Sequence, residues 1–551
     1  MYLNLLDTLE FLKKQIGTGY YEELIQKYLL DNTHGVVVSL EPEKGLMQQE
    51  EEELEKKLAA YKATLSDEEI ETLIAETKHL EEYQETPSAE EDLAKIPMLE
   101  REDLRKEVLP YSNIEERIGS VPVVRHEYET NGIDYISLFF DAKDIAKEDI
   151  PYLGFLKNIL AYMDTESYAY ADLANAINIH TGGLATGLYP TAEAHNPKNL
   201  LVPYEFRVKA LGENLAEGLK LVSEILLTTK ISDEKRLAEI IAQAKSRLQS
   251  SLSSAGHVVS AVRSMAYFSK YAYYVDASTG IEYYDAICKM DAMMQENPQI
   301  VIDKFQEIAK KVFCQSRLMI GYTGNEKNYI EAESKLEAFI ESLPVGEPAK
   351  KSVEFELKKK NEGFTDASAI QYVSRSGDYT QHGYEYTGAL QILKMILSYD
   401  YMWINIRVKG GAYGCMSSFT RSGETYFTSY RDPNLRKTNE IYDKIPEYLR
   451  EFEADEHEMT KYIIGTLGGL DTPLYPEGKG NRSMGAYMRK LSEADIQKER
   501  NEILGATQED IRALADMIEA VLADGNFCVI GNEKMIHSEE DMFMDIRSLN
   551  E

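Results

Sequence analysis

The residues with the clearest potential for chemistry lie in one short segment, Arg407-Val408-Lys409-Gly410-Gly411-Ala412-Tyr413-Gly414. Gly410 and Gly411 permit a sharp turn and a close approach of the backbone to a ligand. Arg407 offers a fork of N–H donors, and Tyr413 offers a phenolic hydroxyl. Such a segment could bind a peptide, or it could be a packed turn with a surface arginine and a core tyrosine. The residues alone leave both interpretations open.

Other catalytic and metal-binding patterns do not occur in the sequence. It contains nine histidines and four cysteines, but no H-E-x-x-H, H-x-x-E-H or C-x-x-C spacing, so no local zinc site is predicted. The stretch 321–327 falls short of a phosphate-binding loop, and the surroundings of Ser483 miss the G-x-S-x-G pattern of serine hydrolases. A zinc site built from residues far apart in sequence stays open, although packing and surface roles are the simpler interpretation of the histidines.

The composition argues against several classes of protein. With 60 basic and 94 acidic side chains the formal net charge is −34, which repels phosphates, so nucleic acid is not an expected partner. No apolar run approaches the roughly 18 residues of a membrane span, and no signal-peptide pattern opens the chain. The widely spaced cysteines argue against a disulfide framework. We therefore expect a soluble, cytoplasmic protein without a membrane partner.

The chain contains an internal repeat. Three segments recur in the same order: Leu156–Tyr162 as Leu393–Tyr399, Gly182-Gly183 as Gly410-Gly411, and Gly324–Lys327 as Gly531–Lys534. Each copy opens with an extended run, passes through a helical pattern and the double glycine, and closes with an amphipathic helix and a strand. Strands mixed with long helices predict α+β domains with helices layered on a sheet.

An alignment of the two copies on the double glycine compares the candidate residues. It places Ile179 opposite Arg407 and Ala185 opposite Tyr413. The Arg/Tyr pair is therefore not a structural signature that both copies share. This difference does not by itself decide between binding and packing.

Residues 1–40 have the pattern of the end of one more copy. Tyr20–Leu30 predicts an amphipathic helix, and Gly35–Leu40 predicts a strand. The beginning of that copy is absent. We therefore expect this chain to be a portion of a longer polypeptide.

Residues 41–112 differ in composition from their surroundings. Residues 41–110 carry 22 acidic and 9 basic side chains. Apolar residues from Leu54 to Leu65 follow helical spacing, and Ser66 with Glu69 forms a capping-box pattern that starts a second helix. Two such helices with a short turn predict an antiparallel hairpin. It could be a solvated linker or a hinge between two large halves, and the retained apolar stripe favours the hinge.

The segment from Arg407 to Tyr413 resembles the Arg/Tyr substrate-binding motif in the C-terminal half of pitrilysin/insulin-degrading-type zinc peptidases, and the presequence-protease (falcilysin-like) branch matches best. Further segments resemble the same family in the same order over nearly the whole chain. They are Leu29–His34 for the end of the second domain, the acidic hairpin for the inter-half hinge, Thr130–Tyr135 for the third domain, and Ser429–Asn434, Leu470–Pro473 and Lys479-Gly480 for the fourth.

The repeat and the resemblance together predict the domain organisation. The predicted fold class is α+β, with two homologous layered helix-on-sheet domains preceded by a long helical hairpin. Four parts follow along the chain: the closing helix and strand of a preceding, truncated domain (1–40), the acidic helical-hairpin hinge (41–112), the third peptidase-family domain (113–345), and the fourth, which carries the Arg/Tyr motif (346–551).

The resemblance also implies a function. Enzymes of that family close two halves around a peptide, and zinc is bound by H-x-x-E-H in the N-terminal half, which this chain lacks. The resemblance implies that Tyr413 donates to the oxyanion of the scissile carbonyl and that Arg407, in the substrate-binding segment with Gly410 and Gly411, binds the substrate backbone. The expected partners are unfolded peptides and the N-terminal zinc-binding half. Alone, this chain should hold no zinc and cleave nothing.

One alternative function comes from a different class, a non-catalytic partner or scaffold subunit of a peptidase complex. The retained Arg407/Tyr413 pair argues against it. The acidic charge could attract basic peptides to the walls of a chamber, or it could simply keep the protein soluble. Cleavage specificity, the physiological peptides and the oligomeric state do not follow from the sequence.

Overall fold

The computed structural model describes residues 5–549 except residues 42, 44, 87, 94 and 98. The chain forms two compact units, residues 1–98 and residues 99–551. The four-part division expected from the sequence stays a prediction. None of the described helices is both long enough and apolar enough to cross a bilayer.

The first unit is helical. Its α-helices are α1 (Leu5–Lys14), α2 (Tyr20–Ile25), α3 (Leu46–Thr64), α4 (Asp67–Glu85) and α5 (Glu90–Leu93). A π-helical turn, Gln26–Leu30, continues α2. The helix predicted over Tyr20–Leu30 is thus confirmed, with a change of helical type in its second half.

The strand predicted over Gly35–Leu40 is wrong. This segment has irregular backbone, and Val36, Val37 and Val38 are each at least 80% exposed. A strand is stabilised by hydrogen bonds to a neighbouring strand, and no strand of the described residues pairs with this segment. The β-branched residues favour an extended backbone, but local preference without a partner does not make a sheet.

Helices α3 and α4 are the two predicted helices of the acidic segment, separated by Leu65 and Ser66. The predicted capping box is confirmed, because the Glu69 N–H donates to Ser66 Oγ at 3.3 Å and the Ser66 N–H donates to the Glu69 carboxylate at 2.8 Å. The apolar stripe, including Leu54 and Leu58, is exposed. The helices therefore do not bury that stripe against each other, and the hinge stays a prediction.

The second unit begins with the first copy of the repeat. Its strands are β1 (Ile114–Ile118), β2 (Val121–Glu127), β3 (Ile133–Asp141), β4 (Gly183–Leu188), β5 (Thr191–Glu193), β6 (Asn196–Leu201), β7 (Pro203–Leu211) and β8 (Leu318–Gly324). Its α-helices are α6 (Ile150–Ile159), α7 (Tyr170–His180), α8 (Leu215–Thr228), α9 (Glu234–Ser254), α10 (Gly256–Met265), α11 (Lys270–Thr279), α12 (Ile281–Glu296), α13 (Pro298–Val312) and α14 (Glu326–Ser342).

The second copy follows. Its strands are β9 (Glu362–Asp366), β10 (Gln371–Asp378), β11 (Gly414–Phe419), β12 (Glu424–Tyr430), β13 (Asn526–Asn532) and β14 (Asp545–Ser548). Its α-helices are α15 (Ala389–Tyr399), α16 (Arg436–Asp443), α17 (Ile445–Arg450), α18 (Glu456–Leu470), α19 (Pro476–Met488), α20 (Glu493–Leu504), α21 (Gln508–Arg512), α22 (Ala515–Ala523) and α23 (Glu533–Ser538).

The two large sheets show the repeat directly. Their strand orders are β1-β2-β8-β3-β7-β4 and β14-β9-β13-β10-β12-β11. Strands β2 and β8 are parallel, as are β9 and β13, and the next three pairings in each sheet are antiparallel. The sheets differ at one edge, because β1 is antiparallel to β2 whereas β14 is parallel to β9. The predicted α+β fold with two homologous helix-on-sheet layers is confirmed.

Each copy sends a helix onto the other copy's sheet. Helix α10 packs on β10, β12 and β13, and α19 packs on β2 and β8. Glycines permit the close approach. A Cβ atom at Gly256 would lie 2.2 Å from the Tyr372 ring, and one at Gly480 would lie 1.9 Å from Thr323 Oγ1.

A buried ion-pair network joins the two copies. The Arg263 guanidinium of α10 donates to both carboxylate oxygens of Glu362 on β9, at 2.6 and 2.9 Å, and to Asp276 at 2.7 Å. The Arg263 side chain is 3% exposed, and Tyr267 Oη adds a hydrogen bond to Glu362. This bidentate geometry fixes the angle of α10 against the second sheet.

The segment 99–113 lies along the second copy before the chain enters the first. The Arg500 Nε donates to the Arg105 carbonyl at 2.6 Å, and the Ser112 N–H donates to Ser483 Oγ at 3.2 Å. The two copies are therefore held together by this segment as well as by the exchanged helices.

Replacing Gly480 by alanine should destabilise the second unit by about 1–3 kcal/mol, because the added methyl overpacks the contact of α19 with Thr323. Chemical unfolding measures this loss. Gly485 is a matched control in the same helix, since a Cβ there meets nothing within 4 Å. Gly485→Ala should be neutral or stabilising by up to about 1 kcal/mol, and equal effects of the two substitutions would contradict the close approach.

Candidate functional site

Arg407 lies in a π-helical turn, Trp403–Val408, between α15 and β11. Its guanidinium carbon is 3.8 Å from the centre of the Trp403 ring, so cation and ring are stacked. The side chain is half-buried, and among the described residues it has no hydrogen bond or ion pair. The N–H donors of Arg407 are therefore positioned by the ring and left without a protein acceptor.

Gly410 and Gly411 form the turn after Arg407. A Cβ atom at Gly410 would lie 2.4 Å from the Ile406 carbonyl oxygen, so this position accepts no larger residue without movement. Gly411 has a φ of +80°, and its N–H donates to the Arg407 carbonyl at 2.9 Å. Both glycines are thus required by the turn itself.

Tyr413 is a surface residue. Its ring is 68% exposed, which excludes the core position that was one interpretation of the sequence. Its N–H donates to the Tyr430 carbonyl at 3.0 Å, and the Tyr430 ring meets it edge-on at 5.7 Å. The backbone is therefore tied to β12, and among the described residues the Tyr413 hydroxyl has no hydrogen-bond partner.

Asp432 and Asn434 support the glycine turn from the next loop. Asn434 Nδ2 donates to the Gly410 carbonyl at 2.7 Å and to Asp432 Oδ1 at 3.2 Å. Asp432 is buried and accepts a further hydrogen bond from Thr438 Oγ1 at 2.7 Å. Burial raises the pKa of Asp432, against hydrogen bonds from Thr438 and Asn434 that lower it. This connects the Arg/Tyr segment with the Ser429–Asn434 segment, which the sequence presented separately.

Cys415 is the nearest potential nucleophile, and the structure argues against that role. Burial raises the pKa of its thiol to about 12, with a further contribution from the charge of Asp432. A thiol of this kind stays protonated at neutral pH and behaves as a small apolar side chain. Cys415 therefore belongs to the core beneath the segment.

Aromatic residues behind Tyr413 connect it to the first copy of the repeat. Tyr430 contacts the Tyr372 ring at 5.8 Å and the His257 ring of α10 at 4.7 Å. His257 and Trp403 were not predicted to lie near the site. The spacing of Trp403 and Arg407, four residues apart, could have indicated their contact, whereas the contact of His257 depends on the packing of α10.

The structure corrects the alignment of the double glycines. Gly183 is itself the first residue of β4, whereas Gly411 lies three residues before β11. Alignment on these strands places Ala176 opposite Arg407 and Gly182 opposite Tyr413. The residues opposite the pair change, but the pair remains specific to the second copy.

The donor set for a metal is poor in this chain. Among the described residues, no group of three or more His, Cys, Asp or Glu side chains is arranged to hold a metal ion. Zinc needs three or four such ligands in close geometry. The residues present do not fit a zinc site.

The family models agree with the two parts of the fold. A model described as the associated region of M16 peptidases of subgroup C matches residues 40–290, and one described as "PreP C-terminal domain" matches residues 361–533. "Protein HypA" of Clostridium perfringens is 38% identical, with 98% of this chain and 55% of that protein covered. The "Presequence protease 1, chloroplastic/mitochondrial" of Arabidopsis thaliana is 27% identical, with 96% and 49% covered. The chain belongs to the pitrilysin family of peptidases.

Within the pitrilysin family, the chain corresponds to the C-terminal half of a presequence-protease-like peptidase, which confirms the resemblance inferred from the motifs. It spans about half the length of the curated relatives it matches. In fold it is similar to the crystal structure of a peptidase M16 inactive domain from Pseudomonas fluorescens. That similarity has a TM-score of 0.54 at 14% identity and covers 76% of this chain and 98% of that one.

Replacing Arg407 by alanine should shift the tryptophan emission to longer wavelength, because the stacked guanidinium no longer covers the Trp403 ring face. The readout is specific, since Trp403 is the single tryptophan of the chain. Lys409→Ala, which removes an exposed cation two residues away, should leave the spectrum unchanged. Identical spectra for wild type and Arg407→Ala would contradict the stacking.

Proposed function

We propose that this chain is the C-terminal half of a zinc-dependent metalloendopeptidase that degrades short, unfolded peptides in a closed chamber. The observation that carries the proposal is the state of Arg407 and Tyr413. Their guanidinium and hydroxyl donors have no hydrogen-bond acceptor among the described residues, although the backbone between them is held in place. Donors presented in this way are suited to bind a ligand.

Arg407 and Tyr413 would perform different tasks in this enzyme. The guanidinium fork suits the carbonyl oxygens of an extended peptide backbone, and its stack on Trp403 limits the rotamers it must lose on binding. The Tyr413 hydroxyl would donate to the oxygen of the scissile carbonyl as negative charge develops there. One preorganised donor of this kind contributes roughly 10²–10³ in rate.

The N-terminal half would supply the zinc, which activates a water molecule as the nucleophile. This chain would contribute no ligand to it, in keeping with the poor donor set of the described residues. Closure of the two halves would then be a condition for turnover. We place the enzyme in the cytoplasm as part of the same proposal.

In a complete enzyme that joins this chain to its N-terminal half, Tyr413→Phe should lower kcat by roughly 10²–10³ with a much smaller change in KM, because the lost hydrogen bond forms in the transition state. Steady-state peptide hydrolysis measures both constants. Tyr399→Phe is the control, since this tyrosine is 70% exposed and lies outside the segment. Full activity of Tyr413→Phe would leave a scaffold subunit as the better explanation.

Metal analysis should find about one zinc per complete enzyme and far less than one in the purified chain of residues 1–551. The physical reason is the lack of a three-ligand group in the described residues. Removal of zinc by a chelator should abolish hydrolysis by the complete enzyme and leave the unfolding temperature of the isolated chain unchanged. One tightly bound zinc in the isolated chain would overturn the assignment.

A further inference from the structure

A cavity of about 230 Å³ lies against the first sheet, beside the N-terminal turns of α19 from the second copy. Strand residues Tyr135 and Lys209 and the imidazole of His126 line it from the sheet, and Glu477 and Asn481 line it from α19. The cavity is therefore built by both copies of the repeat. Nothing in the proposed peptidase mechanism uses it.

Two unpaired charges of opposite sign face this cavity. Among the described residues, neither Lys209 nor Glu477 has an ion pair or a side-chain hydrogen bond. The nearby Arg207 differs, because its guanidinium pairs with Glu205 at 2.7 Å. An ammonium and a carboxylate that line one small cavity without neutralising each other complement a ligand that carries both charges.

The glycines of the first copy position Lys209. A Cβ atom at Gly182 would lie 3.3 Å from Lys209 Cγ, and one at Gly183 would lie 3.4 Å from Lys209 Cε. The lysine stem therefore lies across the bare backbone of the double glycine. In this copy the glycines serve the cavity and not a turn such as that of Gly410 and Gly411.

His126 adds an acceptor that has no partner. Its Nδ1 donates to the Ser112 carbonyl at 2.7 Å, so Nδ1 carries the proton of the neutral ring. Burial lowers the pKa of His126 and keeps the ring neutral at pH 7. Nε2 is thus a lone-pair acceptor, it has no hydrogen-bond partner among the described residues, and the residue is 1% exposed. A buried acceptor of this kind favours a ligand with N–H donors.

We propose that this cavity binds a small zwitterion, a free α-amino acid or a dipeptide. Its ammonium group would lie towards Glu477 and His126 Nε2, and its carboxylate would lie towards Lys209. An internal stretch of a peptide chain has neither terminal charge, so the cavity would select small end products over substrates. The binding is a property of this chain, whereas any link to peptide degradation rests on the proposed function.

The second copy shows why the site is confined to the first. Tyr135 pairs with Lys209 across β3 and β7, and the equivalent positions of β10 and β12 hold Tyr372 and Tyr430. These two rings contact each other and the His257 ring of α10. Aromatic packing thus occupies the place where the first copy has a lysine, two glycines and a polar cavity.

Isothermal titration of the chain of residues 1–551 with dialanine and with alanine tests the proposal. We expect saturable binding of one molecule per chain, and the tighter of the two ligands identifies the dipeptide or the amino acid as the class bound. N-acetyl-dialanine lacks the ammonium and dialanine amide lacks the carboxylate, so each should bind at least tenfold more weakly than dialanine. Equal binding of the capped peptides, or no saturable binding of either zwitterion, would overturn the proposal.

Variants then assign the site. Lys209→Gln and Glu477→Gln remove no described ion pair, so both should keep the wild-type unfolding temperature, and each should weaken the tighter zwitterion at least tenfold. Lys461→Gln removes an exposed lysine of α18, outside the cavity lining, and should bind like wild type. Wild-type affinity in both cavity variants would place the ligand elsewhere and refute the assignment, independently of any peptidase assay.

Discussion

The buried contact between Arg263 and Glu362 is the constraint on which much of the second unit depends. It joins α10 of the first copy to β9 of the second in an environment from which water is excluded. Removal of one partner would leave an uncompensated buried charge, which destabilises a protein by about 3–5 kcal/mol. Because the guanidinium binds both carboxylate oxygens, it also orients α10, and that orientation brings His257 to the rings behind Tyr413.

The reciprocal packing of α10 and α19 is one structural device with two different results. On the second sheet, aromatic rings fill the space beside the helix and support an exposed tyrosine. On the first sheet, Lys209 and two glycines leave a polar cavity. A repeat that keeps its backbone can thus diverge in function by changing a few side chains at the exchanged helix.

The Arg407–Tyr413 segment combines rigid backbone with unsatisfied side chains. The glycine turn is held by Asn434, and the Tyr413 N–H is held by Tyr430. Peptide recognition benefits from this division, because a fixed backbone loses little entropy on binding while the free donors supply the new hydrogen bonds. The poor donor set for zinc among the described residues agrees with an enzyme whose chemistry is split between two halves.

The sequence by itself determined the features that depend on local pattern. The strand and helix order of both copies, the capping box at Ser66 and the Arg/Tyr segment could be predicted, because periodicity, capping and a specific motif are encoded by neighbouring residues. Tertiary structure decided the rest. Gly35–Leu40 has strand composition but no pairing partner, the double glycines differ in register by three residues, and Lys209 meets Glu477 only at the cavity beside α19. Contacts between residues hundreds of positions apart depend on how helices and sheets pack, and local patterns do not encode that packing.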